Sequence, residues 1–277
     1  MKLSYSSYRS YIECPQKYYW KTIKKPCSIK LSKYFSIYGI VIQKFFEYYV
    51  NTYVKTGELT EEQIKSHLKL HWDRTLKKEY VVWTDPWCKQ TSDEIFNNIY
   101  TDILLNLKAF NFFKYMKSEV VFNIKLVKSQ DELTGRLDFI LNNPDNTVEI
   151  LDGKGTNKQD NVDYEQLYFY ALMYYLKYKR IPDKLGFWFY KFQTIKYIDF
   201  TMDDLVKFKD KFALVKKTIK EAKEFLPPPK IKMSKICEWC DYKYDCSNFL
   251  TKKEANRIKR GKGVPIANTG DIQEFGL

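Results

Sequence analysis

Long apolar segments are missing from this sequence. No uninterrupted run approaches the roughly 18 residues that a membrane-spanning helix requires. The N-terminal residues MKLSYSSYRSYIECPQ also lack the apolar region of a secretory signal. Histidine is scarce, with 2 in 277 residues, and no internal repeat is visible. These absences exclude a membrane-embedded protein and a repeat array, and they predict a soluble protein of the cytoplasm.

Apolar and basic residues are abundant. Hydrophobic residues make up 44% of the chain and aromatic residues 17%, which is enough to form a core and excludes a disordered protein. With 277 residues, the chain can form one large domain or two small ones. The net charge of +13, from 47 Lys and Arg against 34 Asp and Glu, suits a polyanionic partner such as nucleic acid. A genome that favours lysine codons explains the same charge equally well.

Helical spacing dominates the N-terminal part, and β-rich runs dominate the middle. We predict helices at 4–23 (divided at Pro15), 36–56 (ended by Gly57), 60–78 (opened by a capping box of Thr60 and Gln63) and 91–116. Strands are predicted at Glu119–Val127, Leu133–Leu141, Thr147–Asp152, 185–192 and 196–200, with a hairpin loop at 142–146 and helices at 161–179 and 202–224. This order predicts an α/β fold, a sheet with helices on its faces.

The order also suggests a division of the chain. We expect a helical region at about 30–116, a core at about 117–225 and a cysteine-bearing segment at 230–250, all within one domain at 1–250. The run Pro227-Pro228-Pro229 is a stiff spacer before the cysteines, and a basic tail follows at 251–277.

Two aspartates fall on neighbouring predicted strands. Asp138 lies in the second strand, and Asp152 closes the third, so a hairpin brings both to one end of the sheet. Two carboxylates with a nearby backbone carbonyl form a hard oxygen site for Mg²⁺ or Mn²⁺. Lys154 follows Asp152 by two residues, on the same strand face. The ordinary interpretation of Asp152-Gly153-Lys154 alone is a turn; Asp138 across the hairpin weakens that interpretation.

The cysteines are unevenly distributed. Of six, three cluster at Cys237, Cys240 and Cys246, a spacing that indicates a metal rather than disulfides in a reducing cytosol. Structural zinc sites usually combine two local pairs of ligands, whereas here a fourth ligand must come from elsewhere in the chain. Zinc and an iron–sulfur cluster both remain open on spacing alone.

Five motifs in this order resemble one known family. Asp138 followed by Asp152-x-Lys154 resembles the PD-(D/E)XK nuclease signature, with Leu137 in place of proline. The rest resembles RecB-like nucleases that carry an iron–sulfur cluster, a branch that includes CRISPR adaptation nucleases and the AddB nuclease subunit. Those further motifs are Leu3-Ser4-Tyr5-Ser6 through Tyr11, Cys14-Pro15-x-x-Tyr18, Gln166-x-x-x-Tyr170 and Cys237-x-x-Cys240-x5-Cys246.

The resemblance implies a metal-dependent DNA nuclease, expected to act as an exonuclease. It also implies a restriction-endonuclease-like PD-(D/E)XK core with a mixed sheet, a helical insertion and a C-terminal iron–sulfur segment. Asp138, Asp152 and the Gly153 carbonyl would bind Mg²⁺ or Mn²⁺, and Lys154 would be catalytic. The resemblance implies that Gln166 and Tyr170 lie beside the active site, where they position DNA or Lys154.

For the cysteines, the resemblance implies that Cys14 joins Cys237, Cys240 and Cys246 on a [4Fe–4S] cluster with a structural role. Cys27 and Cys88 are then spare. Because no helicase motif is present, any unwinding would come from a partner protein in recombination, repair, viral replication or CRISPR adaptation.

One position departs from the family pattern. Where the family carries a metal-binding histidine in a Gly-x-x-x-His context, Gly39 is followed by Gln43. An amide oxygen is a weaker ligand than imidazole for Mn²⁺. The histidines, His67 and His71, lie elsewhere and are expected to have surface or packing roles. Gln43 therefore favours a second hypothesis, a DNA-binding or assembly subunit with weak or no catalytic activity, and a zinc-stabilised binding module is a third.

Two further expectations concern side chains near the site and on the N-terminal segment. Glu119, at the start of the first strand, is a candidate third acid. Among the aromatic residues Tyr18, Tyr19 and Trp20, stacking on unpaired DNA bases is one hypothesis for Tyr18, and packing in the core is expected for at least two of the three.

Overall fold

Local signals place several of the helices. Thr60 accepts a hydrogen bond from the Gln63 backbone, and the Gln63 side chain accepts one from the Thr60 backbone, as the capping box predicts. Thr91 and Glu94 form a second capping box. Gly57, with a φ of 76°, follows the end of the long third helix. The helices are α1 (Tyr5–Glu13), α2 (Pro15–Tyr18), α3 (Tyr34–Thr56), α4 (Glu61–Lys78), α5 (Ser92–Ala109), α6 (Tyr164–Tyr178) and α7 (Met202–Ala222).

The computed structural model describes residues 1–25, 31–82, 90–126, 131–160 and 162–222, with 237, 240–242 and 246. The chain divides into two units, Met1–Tyr8 with Ile29–Lys220 and Arg9–Ser28 with Glu221–Leu277. The predicted proline spacer, the basic tail, Cys27, Cys88, and the ends of the strand expected to reach Val127 and the helix expected to reach 224 lie outside the described residues. None of the described helices is both long and apolar enough to cross a bilayer.

A mixed six-stranded sheet forms the centre of the first unit. The strands are β1 (Lys2–Leu3), β2 (Leu31–Lys33), β3 (Tyr80–Val82), β4 (Met116–Lys125), β5 (Glu132–Asn142), β6 (Val148–Lys154), β7 (Lys184–Phe189) and β8 (Thr194–Ile198). The strand β5 pairs along one edge with β4, and its other edge is shared by β1 and β6. Next to β6 come the parallel strand β7 and then the antiparallel strand β8. The strands β2 and β3 form a separate parallel pair.

This arrangement confirms the predicted mixed α/β fold with a sheet and helices, and it corrects the expected helix at 91–116. The helix α5 ends at Ala109, because Phe110 and Phe112 turn onto the buried Trp188, with ring centroids 5.8 and 5.7 Å away. The predicted strand at 185–192 is also shorter, since a 3₁₀ turn replaces it from Tyr190 to Phe192.

The core of this unit joins α3, α4 and α5 to the sheet. Trp188 is fully buried and contacts the rings of Phe46 and Phe139, at centroid separations of 4.6 and 5.4 Å. Through this packing, α3 is held beside the ends of β6 and β7. The residues that the sequence analysis selected on α3, β5, β6 and α6 all belong to this unit.

Candidate active site

Asp138 and Asp152 come together where β5 and β6 separate. The last paired residues of the two strands are Phe139 and Leu151, so the register places Asp138 opposite Asp152. Asp138 Oδ2 accepts a hydrogen bond from the backbone N–H of Gly153, at 3.1 Å. Asp152 is 1% exposed. Burial raises the pKa of both carboxyls, and the Asp152 charge raises that of Asp138 further.

Lys154 connects this acidic pair to the helix α6. Its Nζ lies 2.5 Å from Asp152 Oδ2 and donates a hydrogen bond of 3.2 Å to Gln166 Oε1. Gln166 Nε2 in turn donates to the Tyr170 hydroxyl, at 2.8 Å, and a hydrogen bond from Tyr170 lowers the pKa of Asp152. We call Lys154, Gln166 and Tyr170 the α6 side of the site. The structure thus brings together all five residues that the motifs selected on β5, β6 and α6.

Gln43 approaches the same aspartates from α3. The Tyr190 hydroxyl donates a short hydrogen bond to Gln43 Oε1. A Cβ at Gly153 would collide with both of these groups, so only glycine fits there. The Gln43 amide nitrogen is buried and makes no hydrogen bond of good geometry among the described residues. The Gln43 amide therefore lies beside Asp152-Gly153-Lys154, which we call the DGK segment, and its side chain also interacts with Glu47.

Glu47 and Glu119 complete this side of the site. Glu47 follows Gln43 by one helical turn, and burial raises its pKa to about 7, with the charge of Glu119 and a hydrogen bond to Glu119 adding to the effect. Glu119 lies opposite Asp138 in the β4–β5 register, has a φ of 53° and pairs with Arg136 at 2.6 Å. We call Gln43, Glu47 and Glu119 the α3 side. The motifs do not include Glu47, but its spacing of four residues from Gln43 predicts that both side chains lie on one face of the helix.

The buried side-chain amide of Asn106 holds the backbone of Tyr190 in place. Asn106 is fully buried on α5, and its side chain donates to the Tyr190 carbonyl oxygen at 2.6 Å. It also accepts a hydrogen bond from Trp188 Nε1, at 2.8 Å. Because buried polar groups are costly to leave unpaired, this network holds the end of β7 in one conformation. Tyr190 can then present its hydroxyl to Gln43.

The four cysteines of the C-terminal and N-terminal motifs belong to the second unit. Cys14 caps α2, its Sγ accepting a hydrogen bond from the Lys17 backbone at 3.3 Å. Burial raises the pKa of Cys14, and ionised Cys237 and Cys246 raise it further. Burial likewise raises the pKa of Cys240, to which the Cys14 charge also contributes. The thiols are therefore close enough to affect one another electrostatically.

Several predicted residues have other environments. His67 Nε2 lies 2.7 Å from the Tyr48 hydroxyl, and burial lowers the pKa of His71. Tyr18, a predicted DNA contact, is 4% exposed and packs edge-on against Tyr11. This burial favours the packing role for Tyr18 over stacking on a base. Within the described residues, no set of three or more His, Cys, Asp or Glu side chains is arranged to hold a metal ion.

Comparison with known proteins gives a family and a fold. A family model of the PD-(D/E)XK nuclease superfamily matches residues 2–247. A crystal structure of a candidate exonuclease from Eubacterium rectale superposes with a TM-score of 0.51 at 13% identity, covering 86% of this chain and 87% of that one. The crystal structure of SSO0001 matches with a TM-score of 0.31 at 12% identity over 85% and 95% of the two chains, which is too low to indicate a shared fold. A search of curated proteins found no match.

Proposed function

The chain belongs to the PD-(D/E)XK nuclease superfamily, and we propose that it is a Mg²⁺- or Mn²⁺-dependent deoxyribonuclease that hydrolyses phosphodiester bonds in DNA. The observation that carries this proposal is the pairing of two aspartates with one lysine. Asp138 and Asp152 lie opposite each other, and Lys154 contacts Asp152 at 2.5 Å. Two adjacent buried carboxyls with an ammonium at their edge suit hydrolysis of a phosphodiester.

The donor set fits a hard divalent cation. The buried carboxyls of Asp138 and Asp152 raise the cost of each other's ionisation, a cost that a bound cation would offset. We propose these two carboxylates and the Gly153 carbonyl as ligands, with Gln43 Oε1 as a weaker one. The chemistry that a cation held by these residues would supply is polarisation of the scissile phosphate and a lower pKa for the attacking water.

On the protein side, Lys154 is the proposed catalytic residue that touches the phosphate. Gln166 and Asp152 hold its ammonium beside the carboxylates, so the charge is in position before substrate arrives. A fixed positive charge stabilises the transition state of phosphoryl transfer more than the ground state. Gln166 and Tyr170 act as positioning residues for Lys154, and Gln166, the less buried of the two, is also the proposed DNA contact closest to it.

We further propose that the enzyme acts as an exonuclease on DNA ends, in recombination, repair, viral replication or CRISPR adaptation, with a separate helicase or recombination protein as partner. The Eubacterium rectale protein that shares the fold is described as a candidate exonuclease, which gives this proposal limited support. A net charge of +13 suits a long polyanionic substrate.

For the cysteines, we propose a structural [4Fe–4S] cluster on Cys14, Cys237, Cys240 and Cys246. Support comes from four thiols in one unit, with Cys14 electrostatically coupled to the other three. Protein purified without oxygen should contain close to four irons, and Cys240→Ser should lose them and much of its stability, while Cys88→Ser keeps them. Stoichiometric zinc without iron would contradict the cluster and favour a zinc-stabilised module.

A second candidate function is DNA binding with weak or no catalysis. Gln43 favours it, because its oxygen already accepts a hydrogen bond from Tyr190. Digestion of end-labelled single-stranded and duplex DNA with Mg²⁺ or Mn²⁺ separates the two candidates. We expect the wild type and the matched surface variant Asp210→Asn to cleave and Asp152→Asn to be inactive but folded. A wild type that binds DNA and cleaves no form of it supports the second candidate.

A further inference from the structure

A polar cleft lies just beyond the C-terminal end of β6, next to the DGK segment. It has a volume of about 320 Å³, which is within the range of small-ligand sites. It starts where β6 ends, since a Cβ at Gly155 would lie 2.8 Å from Gly39 Cα and 3.0 Å from Tyr38 Cδ1. The lining residues are Tyr38, Gln90, Ile95, Asn98, Thr101, Asp102, Asn157 and Lys191. Apart from Ile95, all of these carry side-chain hydrogen-bonding groups.

The ammonium of this cleft, on Lys191, interacts with the Asp102 carboxylate electrostatically but is not in direct contact with it. Lys191 Nζ donates to Asn157 Oδ1 at 2.7 Å and lies 4.0 Å from the centre of the Tyr38 ring. It forms no ion pair with any carboxylate of the described residues. The carboxyl in the cleft, Asp102, instead accepts a hydrogen bond of 2.6 Å from the Tyr38 hydroxyl. An ammonium has three donors, so Lys191 can keep Asn157 and still bind an anion.

The separation between Gly153 and Gly155 on the strand side, and between Gln43 and Gly39 on α3, relates the Lys191 cleft to the active site. Gln43 is next to Gly153, and Gly39, one turn earlier on α3, is next to Gly155. Two residues of a strand and one helical turn both cover roughly 6–7 Å. That displacement is comparable to one nucleotide of an extended single strand. A DNA strand with its scissile phosphate at Asp138 and Asp152 would therefore bring a neighbouring nucleotide to the cleft.

We propose that the cleft is a nucleotide subsite, with Lys191 on the phosphate and the amides of Asn98 and Asn157 on the sugar or base. This proposal rests on the proposed nuclease function, because the path of the DNA strand to the cleft starts from a scissile phosphate at Asp138 and Asp152. Amide side chains can donate and accept at once, which suits base edges and sugar oxygens. Asp102 and Tyr38 fix the floor of the subsite.

The test measures DNA binding without cleavage. Fluorescent single-stranded DNA is titrated in EDTA with Asp152→Asn protein, alone or combined with Lys191→Ala, Lys191→Arg or the surface control Lys69→Ala, at several KCl concentrations. Each lost contact with a single-strand phosphate reduces the slope of log affinity against log salt by about 0.7. We expect that reduction for Lys191→Ala only. Asn98→Ala should lower affinity about threefold without changing the slope, since it removes a neutral contact.

Equal slopes for Lys191→Ala and Lys69→Ala would overturn the subsite. Melting curves check folding. If Lys191→Ala does not fold, Lys191→Gln, which removes the charge but keeps an N–H donor, decides by the same slope. The nuclease proposal fails independently. If the wild type cleaves DNA but the slopes are equal, the nuclease proposal stands and the subsite proposal is wrong. If the wild type does not cleave DNA but Lys191→Ala changes the slope, the cleft binds DNA and the nuclease proposal is wrong.

Discussion

The two sides of the site differ in the charges that face one another. On the α6 side, the Lys154 ammonium pairs with Asp152 at 2.5 Å and donates to Gln166, which donates to Tyr170, although Asp152 Oδ2 makes no hydrogen bond of good geometry among the described residues. On the α3 side, Glu47 faces the like-charged Glu119, and the Gln43 amide nitrogen also makes no hydrogen bond of good geometry among the described residues. The α6 side is therefore organised before any ligand binds. On the α3 side, the carboxyl oxygens of Glu47 and Glu119 repel each other when both are ionised, so binding of a proton or a cation there is favourable.

The largest effect is expected on the α6 side. Lys154→Ala removes the ammonium that stabilises the transition state, so kcat should fall on the order of 10²-fold with little change in KM or DNA affinity. Single-turnover cleavage measures the change, with Lys69→Ala as the matched control. An unchanged kcat would mean that Lys154 only balances the Asp152 charge, and the contrast between the two sides would lose its catalytic meaning.

A smaller loss tests whether the α6 chain positions Lys154. Tyr170→Phe removes the acceptor for Gln166 and the hydroxyl near Asp152, so kcat should fall about tenfold, as for other residues that orient a catalytic group. Because the role is indirect, the pH profile of kcat should shift as well. Tyr178→Phe, on the exposed end of the same helix, is the control. Equal activity and equal pH profiles for both variants would leave Tyr170 a packing role only.

On the α3 side, one substitution should raise activity. Gln43→His introduces an imidazole beside Gly153, and imidazole is a better ligand for Mn²⁺ than an amide. We expect the Mn²⁺ concentration for half-maximal cleavage to fall roughly fivefold. At saturating Mn²⁺ the rates should converge. If the variant needs more Mn²⁺ than the wild type, Gln43 does not occupy a ligand position.

The smallest expected effect is on stability as a function of pH. The pKa of Glu47 in the folded protein is about 7, against 4.5 ordinarily, so its protonated form stabilises the fold below pH 4.5 and that contribution disappears as pH rises through 7. The melting temperature of metal-free protein should fall by a few degrees between pH 5 and 8, since about 1 kcal/mol shifts it by roughly 2–4 °C. Glu47→Gln should flatten the fall. A melting temperature that rises over this range in both proteins would contradict the assignment.

The same contrast separates what sequence could predict from what it could not. Capping residues such as Thr60 and Gln63 act locally, so the bounds of α4 followed directly from them. The end of α5 depends on Phe110 reaching Trp188, a contact distant in the sequence. The two-residue strand β1 and the pair of β2 with β3 rest on parallel pairing between remote segments, which leaves no local pattern.

Within the site, motif spacing selected Asp138, Asp152, Lys154, Gln166 and Tyr170, and these residues are neighbours in the structure. The α3 side was only partly visible in the sequence. Glu47 is an ordinary acidic residue on an amphipathic helix until the packing of Phe46 against Trp188 brings it to the sheet. The positive φ of Glu119, an uncommon backbone conformation for this residue type, likewise leaves no trace in sequence.

Mn²⁺ binding measured by calorimetry in two buffers with different ionisation enthalpies tests the central claim, a cation site on Asp138 and Asp152, most directly. Because the pKa of both carboxyls is raised, Mn²⁺ competes with protons for them, so affinity should fall as the pH is lowered and the heats in the two buffers should then diverge. We predict saturable binding to the wild type, with proton release at the lower pH, and at least tenfold weaker binding to Asp152→Asn. Equal affinity of the two proteins for Mn²⁺, with no proton release at the lower pH, would contradict the account.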